Sequence, residues 1–204
     1  MRLITVKKRR MDMLQNILTQ QNATAQKRIT VNTTLSAGLI ALAVILPQIV
    51  HLALGQPGGV QLLPMYLPVL IGGCLLGWKW ALAVGVLSPV VSFAITSLIG
   101  DPMPALARLP FMMAELAVFA LVSGLFSKKI YENGLWAFPA VILAQLAGRA
   151  VFLGLVVVCQ SFAPFTVEMI WGQICAGWLG LVIQAILVPI IIIAIRAILV
   201  KNND

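Results

Sequence analysis

The sequence predicts an all-α integral membrane protein, a six-transmembrane-helix bundle with N- and C-termini cytoplasmic, and three observations carry that expectation. Of 204 residues, 61% are hydrophobic and only 10% charged, against roughly 25% charged in an average soluble domain. Mean hydropathy is +1.02, so the chain is built to dissolve in lipid. The apolar residues fall into six runs, each long enough to cross a hydrocarbon core of ~30 Å, and the basic residues gather at alternate connections between them.

Residues 1–32 read as a basic cytoplasmic tail, with Arg2, Lys7, Lys8, Arg9, Arg10, Lys27 and Arg28 ahead of any apolar run and helical character around Met11–Thr19. Because a long hydrophilic stretch precedes a first run that is itself long enough to span, no cleavable leader is expected. The membrane domain occupies residues 33–200, with spans at about 33–54, 62–78, 80–99, 105–127, 136–160 and 168–199. Lys79 lies in the second connection, Lys128 and Lys129 in the fourth, and Arg196 and Lys201 at the chain end. With the tail, this puts twelve of the fourteen Lys and Arg residues on one side, which the positive-inside rule assigns to the cytoplasm. The opposite connections, Gly55–Gln61, Gly100–Pro104 and Ser161–Val167, contain Gly, Pro and Asp but no Lys or Arg. The net charge of +8 is thus explained by topology, and no nucleic-acid partner is implied. A basic tail beside a span is also suited to anionic membrane lipid.

Seven of the eleven prolines (Pro47, Pro64, Pro68, Pro89, Pro110, Pro139 and Pro189) fall within the predicted spans. Each withholds a backbone donor, so a kinked bundle is expected, with the freed carbonyls satisfied by neighbouring groups. Small residues four apart, at Ala37/Ala41, Gly73/Gly77, Ala120/Gly124 and Gly172/Ala176/Gly180, allow close helix contact. Cys74, Cys159 and Cys175 form no CxxC pair and are expected to pack as small apolar residues.

Ionisable groups deep in a bilayer mark function by default, and two lie deep here, Glu115 and Arg149. The fourth span runs inward and the fifth outward, so both residues reach roughly the mid-plane and can meet. Their pair either pins two helices together or lines a polar cavity. Arg108, Met112 and Glu115 share one stripe of the fourth helix by their i, i+4, i+7 spacing; Arg108 either joins the cavity or snorkels to the outer interface. The outer halves of other spans contribute Gln48 with His51, Tyr66 beside Met65, Ser92 with Thr96, and Gln173 near Trp171. Singly, these read as interfacial or packing residues, and the tryptophans as an aromatic belt. Together they concentrate polarity in the outward half of the membrane, whereas Gln145 and Gln184 stand apart further in. That asymmetry suits capture of a small external solute.

Catalysis finds no support. The chain has one histidine and lacks HExxH, GxSxG and the phosphate-cradling Gly-Lys-Ser/Thr sequence. The sequence points to no enzyme, metal or cofactor, and to no usual ATP site, so active transport would draw energy from a partner or an ion gradient.

With these residues placed, LLPMYLPVLIGG at 62–73, GDPMP at 100–104, ELAVFALVSGLF at 115–126, AGR at 147–149 and GLVIQ at 180–184 resemble the substrate-binding S components of energy-coupling factor (ECF) vitamin transporters. The resemblance covers about residues 33–199 and leaves the basic tail outside. It implies a six-helix protein of the bacterial cell membrane that binds one water-soluble vitamin near the outer face and docks on a transmembrane coupling protein with two ATPase subunits. Family docking uses an AxxxA pattern on the first helix, which Ala37 and Ala41 match, and outer loops cap the ligand, a role Gly55–Gly59 would suit. The segments at 63–69 and 115–124 are most similar to the pantothenate branch. On that basis the ligand is an organic acid held by Arg149 or Arg108, with Glu115 orienting the arginine. Two alternatives stand beside it: a stand-alone ion-coupled carrier or channel with Glu115 as the titrating group, and a structural membrane subunit without ligand. No inverted repeat of the kind common in carriers is visible between the two halves.

Overall fold

The computed structural model describes the backbone of residues 2–100, 102–159 and 167–201; within these, side chains are described except at 2–25, 56, 57, 167, 169, 170, 173 and 199–201. Every regular element among the described residues is helical. The chain divides into two units, Met1–Leu35 and Ser36–Asp204.

The first unit is helical almost throughout, as the start of α1 (Arg2–Leu62). The helical character expected around Met11–Thr19 extends in both directions along the tail. No Gly or Pro occurs before Gly38, so nothing in the chain stops the helix once it has begun. The hydroxyls of Thr30, Thr33 and Thr34 donate to the carbonyls of Gln26, Ile29 and Thr30 at 2.9–3.0 Å, which satisfies these polar side chains on their own helix.

The second unit carries the rest of the bundle. After α1 come α2 (Tyr66–Leu76), α3 (Trp78–Ile99), α4 (Leu109–Leu125), a short α5 (Ser127–Glu132), α6 (Ala137–Cys159), α7 (Val167–Ala176) and α8 (Trp178–Lys201). Six helical stretches among the described residues are long and apolar enough to cross a membrane: Gln26–Gly55, Gly58–Leu76, Trp78–Ile99, Leu106–Leu125, Gly134–Cys159 and Trp178–Ile198. The expected six spans are therefore present, with two internal differences.

The second span is discontinuous. Gly55, at φ 70°, lets the chain reverse with almost no loop, so Gly58–Leu62 is already helical where the sequence suggested a connection. The helix then breaks at Leu63–Met65 before α2 begins. In the last span, the expected single helix over 168–199 is two, divided at Gly177.

The prolines also disturb the bundle less than their number implied. Pro110 stands at the first positions of α4, and Pro68 and Pro139 lie in the first turns of α2 and α6, where the missing N–H would have had no helical partner anyway. Pro64 sits in the break. Pro47, Pro89 and Pro189 alone of the seven lie in helix interiors.

The core centres on α4, which packs against α2, α3 and α6. Leu116, Phe119 and Ala120 are fully buried among Val69, Leu70, Val84, Val141 and Ala144. Two glycines permit this closeness. A Cβ on Gly85 of α3 would lie 2.6 Å from the Leu116 carbonyl oxygen, and one on Gly148 of α6 would run into the Phe119 ring and come 3.2 Å from the Glu115 carbonyl oxygen. The second contact brings the neighbouring Arg149 to the level of Glu115.

The basic connections meet at one end. Gly124 of α4 packs on the Trp78 backbone, Lys129 lies 4.7 Å from the centre of the Trp136 ring, and Trp136 stacks on Phe126 at 6.2 Å. Arg196 of α8 donates from Nε to the Tyr131 carbonyl at 3.0 Å and from Nη2 to that of Glu132 at 2.8 Å. These bonds satisfy the last carbonyls of α5, a common use of arginine at a helix C-terminus.

Candidate functional site

At the other end, the broken second span opens a cavity of about 390 Å³. Pro47 and His51 of α1 form one wall, and Gly59, Val60 and the break residues Leu63, Pro64 and Met65 form the next. The connection after α3 covers it with Pro102, Met103, Pro104 and Ala105, while Ser92, Arg108 and Met112 close one flank and Phe152 and Arg149 of α6 the other. Such a space, mostly apolar with few polar groups, is typical of a small-molecule site.

The polar centre is a cluster of three. Arg149 Nη1 stands 3.1 Å from Glu115 Oε1, and the Tyr66 hydroxyl donates to Glu115 Oε2 at 2.7 Å. The guanidinium carbon lies 5.2 Å from the centre of the Tyr66 ring, within cation–π range. Tyr66 is itself fixed by an edge-to-face contact with Phe119, centroids 5.0 Å apart. Glu115 is fully buried, so it meets Arg149 from behind and does not line the cavity. Arg149 does line it, and its Nε and Nη2 are buried without a hydrogen-bond partner among the described residues. A buried cation with two unmatched donors is costly, and Glu115 Oε1 likewise lacks a hydrogen bond despite its ion pair, so the cluster as it stands leaves polar capacity unused beside the cavity.

The sequence candidates divide accordingly. Arg108, Met112, Arg149, His51, Tyr66 and Ser92 are brought to one cavity, with Glu115 directly behind it. Arg108 is half-buried in this wall, consistent with a place in the cavity. Gln48 and Thr96 do not reach the lining. Thr96 is occupied elsewhere: its hydroxyl accepts from the Met103 N–H at 2.8 Å and donates to the Ser92 carbonyl at 2.7 Å. Ser92 adds a 2.9 Å bond to the Met103 carbonyl. These hydroxyls seat the covering connection on α3. The side chain of Gln173 lies outside the described residues. Ala37 and Ala41 are exposed on α1. Phe152, Pro47, Val60 and Met103 line the cavity without having been foreseen, because an apolar residue in a span leaves no sign that it faces a ligand rather than lipid.

Cys74 is buried, Cys159 partly buried and Cys175 exposed, and none is paired in a disulfide. Gln145 and Gln184 act as structural donors: Gln145 Nε2 bonds the Leu181 carbonyl at 3.1 Å, and Gln184 Nε2 bonds the carbonyls of Leu62 and Leu63, each at 2.9 Å.

Comparison with known families gives one result: the family described as ECF transporter, substrate-specific component, matches residues 31–192. No curated protein and no solved structure matches the chain.

Proposed function

The chain belongs to the ECF transporter substrate-specific component family, and from that premise we propose that it captures a vitamin-like organic acid, with pantothenate the best candidate, in the cavity beside Arg149. It is a transporter subunit and not an enzyme, and S components work with an ECF module of a transmembrane protein and ATPases. For this chain the proposal is uptake across a bacterial cell membrane. The cavity faces outward, the basic end carrying Lys79, Lys128, Lys129 and Arg196 faces the cytoplasm, and a coupling protein with two ATPase subunits docks on the face of α1 that exposes Ala37 and Ala41.

One observation supports the ligand class above all others: Arg149 offers two buried, unmatched guanidinium nitrogens at the cavity wall while Glu115 engages its remaining terminal nitrogen. Glu115 holds and neutralises the arginine from behind, and a carboxylate can take the free edge with two parallel hydrogen bonds, which a lysine cannot reproduce. Arg108 adds positive charge at the same cavity. The apolar remainder of the wall suits the body of a small amphipathic acid. The ion-coupled carrier, the alternative considered for Glu115, has less in its favour, since both carboxylate oxygens already have close neighbours in Tyr66 and Arg149.

Titration calorimetry with pantothenate on the purified, folded protein tests this. Arg149→Ala is expected to weaken binding by about 2–5 kcal/mol, or ~30-fold to several thousand-fold, with Arg149→Lys recovering only part. Binding by both Arg149→Ala and Arg108→Ala within about threefold of wild type would make the cluster a purely structural pair and favour a neutral or cationic ligand.

A further inference from the structure

We propose that Gln184, on α8 and outside the cavity wall, is a positioning residue for the ligand site. Its side-chain amide holds the break between α1 and α2 in shape, and with it the Leu63–Tyr66 wall. The proposal rests on the cavity being the binding site.

The break creates a definite deficit. In a continuous helix the Tyr66 N–H would bond the Leu62 carbonyl; here it bonds the Leu63 carbonyl at 3.1 Å, leaving Leu62 without its helical donor. Pro64 has no N–H to offer nearby groups. Within a membrane, a bare carbonyl has no water to turn to. Gln184 Nε2 lies 2.9 Å from both the Leu62 and the Leu63 carbonyl oxygens, so one side chain bridges the two peptide units on which the chain changes direction.

Leu63 itself needs holding. Its φ of 49° is the one positive value among non-glycine residues described, a conformation that a branched side chain adopts only when its surroundings over-determine it. Gln184 supplies that constraint, and the sequence of α8 is shaped to deliver it. One turn earlier on the same face stands Gly180, where a Cβ would lie 2.7 Å from the Leu62 carbonyl group. The glycine lets α8 approach the break and the glutamine then binds it. Downstream, Leu63, Pro64, Met65 and Tyr66 are consecutive lining residues, and Tyr66 carries the bond to Glu115. An amide on the far side of the wall therefore sets where the Tyr66 hydroxyl, and through Glu115 the Arg149 fork, come to rest.

Hydrogen exchange by mass spectrometry on the full chain in lipid nanodiscs tests this without needing a ligand. In Gln184→Leu, amides of the 63–66 segment are expected to exchange about tenfold faster, while those of α3 and α4 keep their wild-type rates. Leu63→Gly placed in the same background should restore slow exchange in part, since glycine adopts the positive φ freely. Gly180→Ala, which pushes α8 off the break with Gln184 intact, should reproduce the effect and serves if Gln184→Leu does not fold. Unchanged exchange at 63–66, or a uniform rise across the bundle without rescue by Leu63→Gly, overturns the proposal. A parallel kinetic measurement uses pantothenate: its dissociation should quicken by about tenfold in Gln184→Leu with association little changed. Failure of the wild-type protein to bind pantothenate would refute the ligand assignment alone, because the exchange result still decides the role of Gln184.

Discussion

The membrane-spanning part of α1, Gln26–Gly55, and α4 are both apolar helical stretches, and they are used in opposite ways. On α4, Glu115, Leu116, Phe119 and Ala120 are completely buried, and neighbouring helices approach to the point where a single added methyl would collide. Along α1, Ile45, Ile49 and Leu52 are 51%, 55% and 85% exposed, and Gly38 has nothing within 4 Å of where a Cβ would stand. Composition does not separate them. The difference lies in how many sides are covered: α4 is enclosed by three helices and carries Glu115 against Arg149 of α6, whereas α1 offers one stripe to the bundle and one to whatever lies outside it.

That contrast can be broken at its strongest point first. Glu115→Leu leaves Arg149 as a buried, unpaired cation and should lower stability by about 3–5 kcal/mol, read as a fall in the unfolding midpoint in detergent. A loss no larger than that of a surface substitution would mean that α4 does not carry the electrostatic centre of the fold.

A matched pair of glycines sharpens the comparison. Gly148→Ala forces a methyl against Phe119 and the Glu115 carbonyl and should cost about 1–3 kcal/mol. Gly38→Ala meets only open space and should stabilise by roughly 0.5–1 kcal/mol through helix propensity. Equal effects in the same unfolding assay would erase the distinction between the two helices.

The smallest effect on stability is expected for the double substitution Ala37→Trp, Ala41→Trp, within about 0.5 kcal/mol of wild type. Its consequence should be functional: uptake in cells is lost while the isolated protein keeps its ligand affinity within about threefold. Loss of affinity together with uptake would place these alanines in the fold or the pocket.

Much of this was legible in the sequence, for reasons that also mark where legibility ends. Hydropathy and length located six spans because lipid imposes one requirement on every spanning helix. Glu115 and Arg149 stood out because a charge at that depth is rare, and they do meet. Hydropathy is blind to continuity, however: Leu63 looks like any other apolar residue in a run, yet it sits at positive φ in a break. Ser92 and Thr96 belong to the polar set of the outward half, but the sequence does not say whether a hydroxyl there bonds a ligand or, as for Thr96, the Met103 amide. Gln184 looked too deep and too isolated to matter for the site, since its partners are backbone atoms more than a hundred residues away, and backbone acceptors have no sequence signature.

The run of α1 from its exposed alanines to the cavity makes it a lever with two working points. Ala41 lies on the open face, and His51, ten residues further along, lines the ligand space. At 1.5 Å per residue the two are about 15 Å apart along the axis, so a tilt of roughly 10° pivoting at Ala41 carries His51 through about 2.6 Å. Pro47 rides on the same arm. A displacement of that size, comparable to the reach of a hydrogen bond, would change which groups at the wall can touch a solute there, so on the docking proposed above a partner that tilted this rod would alter the cavity by the same movement.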